Sequence, residues 1–394
     1  MKSVHKQALR RIGGRGLTAT AIAALVAGGL GAAAVASADP APTGGTAGKV
    51  FANIGLPDDR WVTGAGSADR FTYWTNAATD RTELSSAAVY LPRGDKPEGG
   101  WPVVAWAHDT VGLADKCAPS WSGKTESAAH WNDITPWLRK GYAVVASDYA
   151  GLGVEGALPD LQTNIKAHNI VDAVKAAHDI TGDLSDEWVV NGNGSGATAA
   201  LATARGATQI QGPELNFRGA TVTSVPDNLG ELVLNAGPGF IPVPLPSDLT
   251  AEVLYAVAGI RGSHPELNLD SYLTAEGKAL TDKAVTTCSS ELQSAVSSTS
   301  LNALFSRPVS SIPNLRPIVE AYLGVPDTGY VKPVFFGQGL LDTTVILPYT
   351  LEFLSRVEAS NQSTTILTYP VDGQGTAAAA FPDASSFVSA LFAR

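Results

Sequence analysis

Three turns in this chain carry residue types that suit catalysis, and the first is Trp188-Val-Val-Asn-Gly-Asn-Gly-Ser-Gly-Ala-Thr-Ala-Ala-Leu201. A short apolar run meets a glycine-dense turn and an alanine-rich stretch, the shape of a strand-to-helix turn that exposes a nucleophile between small residues. The chemistry would be acyl transfer, which needs a hydroxyl, an imidazole that takes its proton, and a carboxylate behind the imidazole. Two registers fit. With Gly192 and Gly196 as the small flanks, the nucleophile position falls on Gly194, which has no side chain. With Ser195 in that position, the flanks become Asn193 and Ala197, and the first is bulky where the turn wants glycine. The glycine register fits better. A phosphate cradle is another use of such a turn, but neither the G-x-x-x-x-G-K-[ST] lysine nor the G-x-G-x-x-G spacing is present.

The second turn, Phe336-Gly-Gln-Gly-Leu-Leu-Asp-Thr-Thr-Val345, follows an apolar run and offers Asp342 as the carboxylate that fixes a histidine's tautomer. The third, Tyr369-Pro-Val-Asp-Gly-Gln-Gly-Thr376, is where the order serine, acid, histidine requires the imidazole. It holds none. All six histidines (His5, His108, His130, His168, His178 and His264) precede Asp342. A base from elsewhere would have to be His108, for which a structural role is the simpler reading.

These turns need a sheet to hold them. Buried-strand patterns run over 86–91, 103–107, 142–147, 188–191, 219–225, 333–336 and 365–369. They alternate with helical patterns at 162–180, 197–205, 348–358 and 384–392, which predicts an α/β fold with a mostly parallel sheet. In the first helix, Ile165, Ile170, Val174 and Ala177 make the apolar face, with Lys166, Asp172 and Lys175 on others. Ligands in such sheets bind beyond the carboxyl ends of the strands, where the three turns lie. From Pro226 to Val331 the pattern changes to a proline-rich run, 237–246, followed by helical stretches at 252–258 and 290–304. This predicts a helical cap inserted between two core segments, 49–225 and 332–394.

At the start, five basic residues precede an apolar run, 17–35, that ends in Ala36-Ser37-Ala38, the pattern of a secretory signal over 1–38 cleaved near Ala38. A single membrane anchor is the alternative; the run is rich in glycine and alanine and stops at Asp39-Pro40, so no stable anchor is expected. Residues 39–48 then read as a linker. Without the first 38 residues the chain keeps 22 basic and 37 acidic residues, a net charge of −15 that repels nucleic acid. Two cysteines, Cys117 and Cys288, are too few for a disulfide framework and too far apart in sequence for a zinc motif, so no metal or cofactor is expected. In an oxidising compartment they are free to bridge; two buried thiols are the other reading.

The residues resemble those of the secretory lipases of actinobacteria and yeasts, within the α/β-hydrolase superfamily. The likeness rests on Pro102-Val-Val-Ala-Trp-Ala-His-Asp-Thr-Val-Gly-Leu-Ala-Asp-Lys-Cys-Ala-Pro-Ser120, on Gly141-Tyr-Ala-Val-Val-Ala-Ser-Asp-Tyr-Ala-Gly-Leu-Gly153 and on the three turns, and it spans nearly the whole chain after the signal. It implies an α/β-hydrolase fold whose cap shields an acyl-chain pocket, so that a lipid or ester is the expected ligand. It places Gly194 in the serine's position and Gln374 in the histidine's, a shift of one residue giving Gly373 instead. Asp342 matches the acid, Asp109 an oxyanion-hole aspartate, Ser195 the residue whose backbone N–H completes that hole, and Cys117 a cysteine paired with one in the cap, where Cys288 falls. Gln374 is expected to donate its amide to Asp342. The resemblance thus implies a secreted lipase-like protein that has lost its nucleophile and base and is inactive or very weakly active, with a lipase or carboxylesterase acting through Ser195 as the alternative.

Overall fold

The computed structural model describes residues 44–76, 81–154, 162–345, 347–360 and 363–393, without the side chains of 122–130. The expected signal segment with its end at Ala38, His5, and the first half of the expected linker (39–43) lie outside the described residues, as does the side chain of His130.

One mixed sheet organises the chain, built from β1 (Val50–Gly55), β2 (Ala65–Asn76), β3 (Thr82–Pro92), β4 (Trp101–Ala107), β5 (Ala143–Ala150), β6 (Leu184–Asn193), β7 (Asn216–Thr223), β8 (Val334–Gly339) and β9 (Thr364–Tyr369). Their spatial order is β1-β2-β3-β5-β4-β6-β7-β8-β9. The pairs from β1 to β5 are antiparallel, and from β5 through β4 to β9 the strands are parallel. β4 and β5 are almost wholly buried because helices cover both faces. Such strands read as continuous apolar runs, which is why they are visible in the sequence.

On one face lie α2 (Thr163–Ile180), α3 (Ser195–Ile210) and α10 (Leu347–Ser360), packing Val174, Leu201 and Phe353 against Val103, Val145 and Phe217. On the other face α1 (Pro119–Arg139) and α11 (Gly373–Phe392) pack Trp137 and Val388 with Trp106 and Val104. The expected division of α2 into an apolar face and polar faces is corrected here: Lys166, Asn169 and Asp172 are buried too, since α2 is enclosed by the sheet, α3 and the helices beyond β7. Asp172 is satisfied by the Thr75 hydroxyl at 3.0 Å and by Lys175 at 3.1 Å.

Between β7 and β8 the chain forms α4 (Leu229–Asn235), α5 (Ser247–Ser263), α6 (Ala275–Thr286), α7 (Ser289–Val296), α8 (Leu301–Leu304) and α9 (Leu315–Leu323). Their apolar side chains, with Leu254 and Val257 of α5 at the centre, form a hydrophobic cluster separate from those of the sheet. Each such fully buried aliphatic side chain contributes about 1.5–3 kcal/mol relative to exposure. A disulfide, Cys117–Cys288, ties this helical unit to the loop after β4. Beside it, Ser289 N–H donates to the Val111 carbonyl at 2.9 Å.

Candidate active site

Gly194 stands at the apex of the turn from β6 into α3, with φ +57 and ψ −131. That backbone conformation is one a side chain rarely tolerates. The flanking glycines have a different reason. A Cβ on Gly192 would strike the Gly196 carbonyl, and one on Gly196 would strike the backbone of Ala107 and His108 at the end of β4. The turn is thus built so closely that only hydrogen fits at both flanks, as the glycine register requires.

What faces Gly194 is a carboxylate. Asp109, in the loop after β4, has its Oδ2 2.5 Å and its Oδ1 2.9 Å from the point where a Cβ on Gly194 would lie. Asp109 Oδ1 accepts from Ser195 N–H at 2.9 Å, from the Ser195 hydroxyl at 2.7 Å and from Thr110 N–H at 2.8 Å. The backbone N–H of Ser195, expected from the sequence as an oxyanion-hole donor, is therefore already engaged by the Asp109 side chain. The Ser195 hydroxyl also lies 2.8 Å from that of Thr110, which donates to Glu252 Oε2 of α5 at 3.0 Å. Burial, and next the nearby charge of Asp109, push the Glu252 carboxyl up to about 8. The same two causes raise Asp133 of α1 to about 7.

Asp342 lies in the turn after β8. Its Oδ1 accepts from Thr344 N–H at 2.9 Å and Val345 N–H at 3.1 Å, while its buried Oδ2 has no hydrogen-bond partner among the described residues. The residue in front of it is Gly373, whose Cβ would lie 2.7 Å from both carboxylate oxygens. Gln374 is exposed in the first turn of α11, so the expected amide bond from Gln374 to Asp342 does not form. The shift of one residue comes from α11 opening at Gly373, capped by Asp372, whose side chain accepts from Gly375 N–H at 2.8 Å.

Among the described residues, no histidine side chain joins either cluster: the hydrogen bonds of Ser195 and Asp342 run to no imidazole. His108 is buried, with Nδ1 2.6 Å from the Asp109 carbonyl and Nε2 3.2 Å from the Asp148 carbonyl, and its ring packs 4.3 Å from that of Tyr149. His168 approaches Asn76, and His264 pairs with Glu266 near the surface.

The helical unit reaches this site through two acids one turn apart on α5. Glu252 holds Thr110, and Asp248 accepts from the Thr344 hydroxyl at 2.9 Å. Between α5 and the sheet edge is a cleft with about 410 Å³ of empty space, its open mouth included. Its inner part has room for a water-sized guest rather than an acyl chain. Glu252 and Tyr255 in its lining were not singled out by the sequence, and Lys166 was read there only as a polar-face residue of its helix, because α2 and α5 converge only in the folded chain.

With this geometry in view, the family model for secretory lipase matches residues 125–302. The chain is also similar to Candida antarctica lipase A in its closed state, at 19% identity and a TM-score of 0.71, over 88% of this chain and 82% of that one. A second similar structure is the rice cell wall degrading esterase LipA from Xanthomonas oryzae, at 18% identity and a TM-score of 0.69, over 87% of this chain and 97% of that one. Over residues 125–302 the chain is similar to the secretory lipases. Its fold is that of the α/β-hydrolases. No curated protein matches the sequence. The disulfide and the family agree with an extracellular setting, and no described helix is long and apolar enough to cross a membrane.

Proposed function

We propose that this chain is a secreted, non-catalytic relative of the secretory lipases, in which Gly194 and Gly373 occupy the positions of nucleophile and base. The observation that carries this reading is the carboxylate of Asp109, which fills the space where a side chain on residue 194 would begin and takes the N–H of Ser195. An acyl transfer needs an attacking oxygen, a base to activate it and empty donors for the oxyanion. The first two lack side chains at their positions, and the third is occupied. Among the described residues, Asp342 keeps an Oδ2 with no hydrogen-bond partner and has no imidazole to orient.

Ser195 acting through Asp109 is the second reading, favoured by their 2.7 Å hydrogen bond. Against it, a carboxylate is a weak base for an alcohol, whose activation normally falls to imidazole. A lipid or ester, the ligand class suggested by kinship, would enter the narrow cleft only after α5 moves off the sheet edge.

Incubation of the purified protein with a fluorophosphonate probe and a short-chain nitrophenyl ester tests the proposal. The expected result is no covalent labelling and no turnover beyond that of a heat-denatured control. Stoichiometric labelling of Ser195 would end it.

A further inference from the structure

Four groups stand in a row where α5 meets the sheet edge. Asp109 Oδ1 lies 2.7 Å from the Ser195 hydroxyl, that hydroxyl 2.8 Å from the Thr110 hydroxyl, and Thr110 3.0 Å from Glu252 Oε2. Three oxygen contacts of hydrogen-bond length need three protons. The two hydroxyls bring one each, and an ionised carboxylate only accepts. With both acids ionised, Ser195 donates to Asp109 and Thr110 to Glu252, so the two hydroxyl oxygens face each other with no proton between them. The third proton has to come from one of the acids. Asp109 Oδ1 already receives the N–H groups of Ser195 and Thr110, which leaves it no place for a proton of its own. The proton therefore sits on Glu252, which donates to Thr110, as Thr110 does to Ser195 and Ser195 to Asp109. A Glu252 carboxyl pushed up to about 8, by desolvation first and the charge of Asp109 second, agrees with this count.

The row joins the helical unit to the core. Besides Asp109, the charges acting on Glu252 are Lys166 of α2, which favours ionisation, and Asp248 on α5 itself, which opposes it. Asp133 of α1 stands beyond Asp109. Glu291 of α7, paired with Lys116, acts on Tyr255 of α5, and α9 presents the Tyr322 hydroxyl, bonded to Ser263. The second tie of α5, Thr344 to Asp248, has a donor of its own and needs no further proton. Loss of the Glu252 proton sets a negative charge on α5 against Asp109 and leaves one contact of the row without its bond. We propose that this single proton is the catch that keeps the helical unit closed over the carboxyl edge of the sheet, and that its alkaline loss lets α5 swing away while Cys117–Cys288 keeps α7 attached. This control of access goes beyond the non-catalytic reading and operates whether or not Ser195 reacts with a probe.

Hydroxyl-radical footprinting of the purified protein between about pH 6 and 9 tests the catch. Tyr255, 1% exposed on α5, reports opening; Tyr73, 0% exposed in the sheet, and Tyr349, 47% exposed, are the internal references. For one proton, the closed-to-open ratio falls by up to about tenfold per pH unit above the midpoint. Oxidation of Tyr255 relative to both references should therefore rise on the order of tenfold across the alkaline half of the range. Glu252→Gln gives Thr110 a donor that cannot titrate, so Tyr255 should stay protected throughout. Ser195→Ala frees Thr110 to donate to the ionised carboxylate, so most of the rise should vanish, whereas burial alone would leave it intact. A flat profile in the parent, a rise of Tyr73 in step with Tyr255, or a full rise in either variant folded by circular dichroism would overturn the proposal. The parent profile requires no substitution, so it decides alone if a variant does not fold.

Discussion

Asp109 and Gly194 are mutually exclusive in volume: the carboxylate holds the space that any side chain on residue 194 would need, at 2.5 Å from its Cβ position. The glycine is therefore doubly required, by φ +57 and by the neighbour. Gly194→Ser should destabilise the protein by on the order of 1–3 kcal/mol through backbone strain and displacement of Asp109. Urea unfolding measures this, and a change within error would show that the turn has room to spare.

The same relationship predicts coupling. Asp109→Ala removes the acceptor for Ser195 N–H and Thr110 N–H and should cost about 1–3 kcal/mol for each donor left dry. Gly194→Ala should cost less in the Asp109→Ala background than alone, because the obstructing carboxylate is gone. A double-mutant cycle by denaturant unfolding should return a coupling energy of about 0.5–3 kcal/mol. Strict additivity would contradict the steric account.

Which residue faces the acid can also be tested. In a Gly194→Ser background, adding Gly373→His should raise fluorophosphonate labelling by about 10²-fold, the lower range for a positioned base. Adding Gln374→His should not, since residue 374 points to solvent. Asp342 must shift to admit the ring at 373, so circular dichroism has to accompany the assay. Equal labelling of the two variants would remove the assignment.

Two carboxyls give the stability a pH dependence of defined sign. Glu252 and Asp133 stand near 8 and 7 in the fold, against ordinary values of 4.5 and 3.8. Between these limits the folded chain binds more protons than the unfolded one. Their contribution is therefore full below the ordinary values and declines as pH rises through about 7–8. Glu252→Gln should flatten the decline between pH 4.5 and 8 in urea titrations; an unchanged slope would mean that Glu252 is ionised in the fold at neutral pH.

The sequence was legible where one physical cause acted alone. β4 and β5 are enclosed on both faces and read as apolar runs, as does the stretch 188–190 within β6. β1 is nearly all exposed and β2 mixes polar and aromatic residues, so neither stands out. The start of α11 was hidden by Gly373 and Gly375, poor helix formers held by the Asp372 cap, which displaced the expected facing residue to Gln374. The glycine turn at 192–196 could be read because close backbone approach leaves a compositional mark. Asp109's position in front of Gly194, and the approach of Glu252, Lys166 and Tyr255, leave none: each depends on loops and helices far apart in sequence meeting at one sheet edge.

The bond between Cys117 and Cys288 sets a clock on maturation. Its partners are 171 positions apart and no third cysteine exists in the chain, so scrambled pairing within one molecule is impossible. The first thiol must wait, unpaired, while the whole stretch up to α7 is synthesised and docks beside Val111. The intramolecular bond can therefore form only after Cys288 has been made, and a covalent dimer on a non-reducing gel would mark chains in which the two thiols did not meet.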